Sequence, residues 1–407
     1  MVAAPSAAAG EAAERAARLS YGRLLAILAA RTRDVALAEE ALAGAFARAL
    51  EVWPVQGVPG NPEGWLVTVA RNGLANAYRH DRMRAAAVAD VILVAEEREA
   101  AASGPGDARL ALMFVCAHPA IDAAARAPLM LQTVLGLDAA RIAAAFLVPA
   151  ATMGQRLVRA KARIRETGLR FAVPETEEMP ARLEDVLEAI YAAFGTGWEA
   201  GPASDAGLPE EAIHLARVLL GLMPEEPEVK GLLALMLHAH ARRRARRDGA
   251  GQFVPLSDQN PALWDRDMIV EAEGVLVAAA RAGRFGRFQC EAAIQSVHAQ
   301  RGITGRLNIA ALDTLYGMLA RFHPTVGGAV AHAAIRREAG DVAGALALLD
   351  GLPVAAREGY QAALVVRAHC LLDMGDRVGA EAAVRRALEV TPDAAVRTHL
   401  GRVFGLA

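Results

Sequence analysis

The densest chemistry in this sequence lies between Ala150 and Arg170, where six basic residues face a single acid, Glu166. Thr152, Arg156, Arg159 and Arg163 recur at i, i+4, i+7 and i+11, which on a helix makes one polar, cationic ridge. Met153, Leu157, Ala160 and Ile164 repeat the same spacing one residue later and make the apolar face that packs. Upstream, Asp138 is placed to cap a short helix with Ile142, Ala145 and Phe146 inward, and Leu147-Val148-Pro149 makes a tight connection. A helix, a short turn and a second helix with one basic ridge follow the logic of a helix-turn-helix. There the second helix enters the major groove of DNA. Arginines pair with phosphates, while Thr152, Gln155 and Arg156 are the side-chain types that reach base edges. The competing reading is a surface helix with a solvated arginine face.

No other constellation is as specific. The chain has no P-loop, no His-Glu-x-x-His, no nucleophile elbow and no Cys-x-x-Cys. These absences argue against an enzyme and leave no cofactor motif. Cys116 and His118 do not close a metal site, and His238 and His240, two apart, point different ways on a helix. Gly195, Gly197 and Gly201 lack dinucleotide-site spacing and read as a loop. Arg242, Arg243, Arg244, Arg246 and Arg247 form the densest charge run. Such a run is most often a solvated helix end, with contact to nucleic acid or to an acidic partner as the alternative.

The elements that must position the basic ridge are helical. Hydrophobic residues make up 54% of the 407 residues while aromatics make up 5%, and alanine supplies much of the difference. That composition favours helices packed through small side chains and argues against an all-β fold or disorder. The expected fold class is all-α. Residues 11–85 read as helices: one with Leu19, Leu24, Ile27 and Leu28 on a face, a second capped by Asp34 and ended by Trp53-Pro54, and a third capped by Asn61 with Pro62 first. Residues 86–108 read as a helix end and flexible linker, 109–172 as the helix-turn-helix unit, and 181–407 as a run of short helices. Gly340-Asp341 with Ala345 recurs 35 residues later as Gly375-Asp376 with Ala380, a spacing typical of tetratricopeptide repeats. No stretch is long and apolar enough to span a membrane, and three scattered cysteines give no disulfide framework, so a cytoplasmic protein is expected. The net charge of −2 conceals a division. Residues 1–170 hold 20 Lys and Arg against 16 Asp and Glu, and the remainder hold 24 against 30.

Together these segments resemble the extracytoplasmic-function sigma factors. Ala38-Glu39-Glu40-Ala41-Leu42 to Phe46, Trp53-Pro54, Asn61-Pro62-Glu63-Gly64-Trp65-Leu66 and Ala70-Arg71-Asn72 resemble sigma region 2, and Pro149 to Lys161 resembles the recognition helix of region 4. Met113 to Pro119, Pro224 to His238, Trp264-Asp265-Arg266 and Leu312 to Leu319 resemble the subgroup with a long helical extension. The resemblance implies an alternative sigma factor with core RNA polymerase and promoter DNA as partners. Thr152, Gln155, Arg156, Arg159 and Arg163 would contact the −35 element. Arg71, Tyr78, Arg79 and Arg82, with Arg84 nearby, would serve the −10 element, where a base is captured out of the stack. Glu39, Glu40 and Phe46 would belong to the polymerase-docking helix, in which Ala43-Gly44 stands where the family carries Gln-Glu. The extension would gate the DNA-binding half or receive a protein partner. The alternative is a tetratricopeptide-type adaptor without polymerase binding.

Overall fold

The structure, a computed structural model, describes residues 7–82, 108–146, 148–175, 177–200, 207–391 and 393–405. The linker read over 86–108 lies outside these residues but for its last. Among the described residues the fold is all-α, and the one strand-like pairing is an isolated bridge between Arg247 and Phe253. The chain divides into two compact units, Met1–Leu222 and Met223–Ala407.

In the first unit, α1 (Ala7–Thr32), α2 (Val35–Gln56) and α3 (Pro62–Arg82) pack on one another. Asp34 caps α2 by accepting from Leu37 N at 3.1 Å, and Asn61 caps α3 by accepting from Gly64 N at 2.9 Å. Pro54 does not end α2, contrary to the sequence expectation. It sits in the last turn, and Gly57 N still closes on Trp53 O at 3.0 Å. A proline this close to the end removes one ladder bond without blocking a following turn. Trp53 is buried, with its ring edge-on to Trp65 at 5.5 Å.

Four helices follow: α4 (Ala108–Cys116), α5 (Ala123–Thr133), α6 (Ala139–Ala145) and α7 (Ala150–Thr167). The helix α1 lies directly on the end of α5. A Cβ at Gly22 would collide with the Val134 carbonyl, so only glycine lets the two backbones meet. Next, α8 (Pro180–Ala200) and α9 (Leu208–Leu222) also belong to this unit. Arg126 Nη1 on α5 reaches Asp185 Oδ2 on α8 at 2.9 Å, and Arg109 on α4 pairs with Glu211 on α9. The packing break therefore falls at 222–223, beyond the 172–181 boundary read from composition. Gly195 and Gly197 lie inside α8, not in a loop, because buried Ile190, Ala193 and Phe194 carry the helix through them.

The second unit is built on α10 (Pro227–Ala241), buried on nearly every side between α11 (Arg266–Ala280) and α12 (Arg287–Thr304). A Cβ at Gly231 would stand 2.5 Å from Gln289 N, which fixes how closely α10 and α12 cross. Glu228 supplies the cap that Gly286 cannot, accepting from Phe288 N at 2.9 Å and Gln289 N at 3.2 Å. Then come α13 (Ile309–Phe322), α14 (Val326–Glu338), α15 (Val342–Asp350), α16 (Val354–Gly359), α17 (Gln361–Asp373), α18 (Arg377–Val390) and α19 (Ala394–Phe404). The repeat seen in sequence is repeated in structure. Gly340 and Gly375 have φ of 86° and 83°, and Asp341 and Asp376 each cap the next helix through Gly344 N and Gly379 N at 2.8 and 2.9 Å. Ala345 and Ala380 are buried behind those caps.

Candidate nucleic-acid interface

The short helix α6 starts on Asp138, whose carboxylate accepts from Ala140 N and Arg141 N, both at 2.9 Å. Val148 N returns to Ala143 O at 3.0 Å, which makes the turn tight, and α7 begins at Ala150. The apolar stripe of α7 is buried as its spacing predicts: Met153, Leu157, Ala160 and Ile164 all face the core. The same geometry turns the cationic ridge outward. Gln155, Arg159 and Arg163 are exposed, and Thr152 and Arg156 are half-buried. The side chains of Thr152, Gln155 and Arg156 make no hydrogen bond or ion pair among the described residues. Arg159 Nε rests on Gln155 O and Arg163 Nε on Ala120 O, each at a long 3.4 Å, and the nearest acid to Arg163 is Glu166 at 3.8 Å. None of these contacts is strong enough to hold a guanidinium away from a phosphate. Val158, between Gln155 and Arg159 in sequence, is 67% exposed, an apolar side chain beside the ridge that the sequence pattern does not place inside. Its signal was an aliphatic residue off the apolar stripe, the type that meets a thymine methyl.

The other end of α7 is held to the N-terminal helices. Lys161 Nζ donates to both oxygens of Glu39, at 2.8 and 2.6 Å, and Arg165 stands 3.9 Å from Asp34. The Lys161 pair sits near Cys116, whose thiol is pushed up to about 12 mainly by burial, with Thr133 as hydrogen-bond partner. Tyr21 beside it is also raised to about 12, by burial and then by the Glu39 charge. Glu39, expected on the docking face, is therefore engaged by Lys161 inside the unit. Glu40 is exposed and Phe46 half-buried, while Ala43 and Gly44 are exposed.

Arg71 is exposed on α3 with no ion pair among the described residues. Tyr78, Arg79 and Arg82 fall in the final turns of α3, but their side chains lie outside the described residues, as does Arg84 altogether. The structure thus gathers the five α7 residues on one face and leaves the −10 group represented by Arg71. No group of three or more potential metal ligands occurs among the described residues.

Comparison with known proteins adds a family frame. Residues 182–280 match a family of unknown function (DUF6596), and residues 336–402 match a tetratricopeptide repeat. An uncharacterized protein of Rhizobium meliloti (strain 1021) is 37% identical over 383 residues, covering 90% of this chain and 89% of the relative. The chain belongs to that protein's family. No solved structure matches it. In this family member the tetratricopeptide match covers both capped glycine turns, so the recurrence at Gly340 and Gly375 is a true repeat. No helix among the described residues is long and apolar enough to cross a membrane.

Proposed function

We propose that this protein is an alternative sigma factor, cytoplasmic and without catalysis of its own, that binds core RNA polymerase and directs it to a subset of promoters. One observation carries the reading: α7 presents Thr152, Gln155, Arg156, Arg159 and Arg163 on a ridge about 100° round from its buried stripe, after a tight turn from α6. The region 2 resemblance of α2 and α3 supports it, with Arg71 exposed on α3. In this reading α7 contacts the −35 element, and α3 with Arg71, Tyr78, Arg79 and Arg82 serves the −10 element. The polymerase docks on α2 around Glu39, Glu40 and Phe46, which requires the Lys161–Glu39 pair to part. The tetratricopeptide stack offers a surface for a protein partner that governs this opening.

The engagement of Glu39 by Lys161, with Ala43-Gly44 exposed beside it, favours a second reading, an adaptor that no longer binds polymerase. Co-purification with core polymerase followed by run-off transcription on a genomic promoter library separates the two. The sigma reading expects a stable complex and transcripts that share upstream sequence. Absence of both leaves the adaptor.

A further inference from the structure

The second unit holds a polar node that the DNA-binding reading does not use. His238 and Arg242 lie one turn apart at the end of α10, and Gln295, His298 and Arg301 lie at i, i+3 and i+6 on α12. The two rows meet where Arg242 Nη2 donates to Gln295 Oε1. Arg242 is only 8% exposed, so it is not the solvated helix end expected from the arginine run. Arg243 and Arg244 after it are exposed. Asp265 N bonds to Ala241 O at 2.9 Å, which brings Trp264 against the same helix end. The Arg301 guanidinium lies over the Trp264 ring at 5.6 Å and donates to the carbonyls of Leu256, Ser257 and Gln259.

This node has donors and positive charge in excess of acceptors. Arg242 and Arg301 have no carboxylate partner among the described residues; their contacts are one amide oxygen and three carbonyls. Burial, then Arg246 and Arg301, bring Arg242 down to about 10. Burial, then Arg242 and Arg301, hold His298 near 4, and burial with Arg242 does the same for His238. His238 is 1% exposed with neither ring nitrogen hydrogen-bonded, its Nε2 lying 3.6 Å from Glu273 Oε1, which Ser296 Oγ already occupies at 2.6 Å. Trp264 Nε1 and Gln259 Oε1 are buried without partners too. Buried polar atoms in folded proteins are paired with few exceptions, and several orphans around two uncompensated guanidiniums describe a place for an acceptor-rich ligand. Gln295, His298 and Arg301 are half-buried, so the node is not sealed.

We propose that the node between α10, α12 and Trp264 binds a small oxyanion, a carboxylate or phosphate group, through Arg242 and Arg301 with His298 beside them. This assigns a ligand-binding role to the segment matching the family of unknown function together with α12. It rests on residues of the second unit alone and stands whether or not the chain binds polymerase. The full chain is titrated with inorganic phosphate, and separately with citrate and acetate, against sodium chloride of equal ionic strength. Thermal shift and isothermal calorimetry provide the readouts. Saturable binding of at least one oxyanion is expected, absent with chloride, and weakened at least tenfold by Arg242→Met but less by Arg242→Lys. Phosphate responding alone identifies a phosphoryl ligand, and citrate or acetate alone a carboxylate. Should Arg242→Met not fold, His298→Ala is the second variant, with a weaker but measurable loss. No response beyond chloride, or binding unchanged in the folded variants, means that water alone fills the node and overturns the proposal.

Discussion

Arg159 on α7 and Arg242 beyond α10 belong to the two richest arginine segments of the chain, and their surroundings are opposite. The α7 arginines stand out from a helix whose other face is fully packed, with contacts no better than 3.4 Å to backbone carbonyls. Arg242 is folded in, pushed among other cations and answered by one amide. An exposed guanidinium keeps its hydration until a partner arrives and costs the fold almost nothing. A buried one has lost its water and destabilises the fold unless something replaces it. On the proposed readings, equal residue types divide into a surface for a large polyanion and an interior position for a small one.

The widest test of that contrast is acid. His238 and His298 are held near 4 in the folded protein by burial, against about 6.5 unfolded. Their folded values are lowered, so the unfolded chain takes up protons first. Stability is then lost as pH falls from about 6.5 toward 4 and levels off below, by a few kcal/mol for the pair. Urea unfolding across that range, with His238→Gln removing part of the slope, checks it. A smaller effect is expected on the exposed side. The triple change Arg156→Ala, Arg159→Ala and Arg163→Ala weakens duplex DNA binding by roughly 100-fold at low salt and flattens the salt slope by about 3. Its unfolding free energy stays within about 0.5 kcal/mol of the parent's. Fluorescence anisotropy at several salt concentrations reads the first part, and calorimetry the second. A large stability loss would erase the distinction between the two clusters. The smallest effect is Gly154→Ala. Nothing lies within 4 Å of the added Cβ, so the recognition-like helix gains about 0.5–1 kcal/mol without altered DNA contacts.

The exposed cluster was legible in the sequence and the buried one was not. Helical periodicity places Met153, Leu157, Ala160 and Ile164 inside and the arginines outside, because a single amphipathic helix settles both faces. The caps at Asp34, Asn61 and Asp138 and the repeated Gly-Asp turns are local too, and each stands where its residue type demands. Arg242 depends instead on Gln295 and Arg301, and Glu39 on Lys161, one of just two lysines in the chain. Those partners are far apart in sequence, and no periodicity reports them. The division into packed units departs from the composition change for the same reason. Composition changes near Pro174, but α8 is tied back by Asp185 to Arg126, and a truncation that keeps the first unit whole has to end at Leu222.

Gly22 also constrains the order of events at the ribosome. Its contact with the Val134 backbone joins α1 to a turn made roughly a hundred residues later, or about 5–20 s of synthesis. Until that turn emerges, α1 has no floor on that side, and its apolar face waits uncovered. The side of α1 at Gly22 therefore closes only after that turn is made, while its packing on α2 and α3 can form earlier. Any side chain at position 22 would delay or prevent that closure, leaving a nascent chain that is whole in sequence but open at its oldest helix.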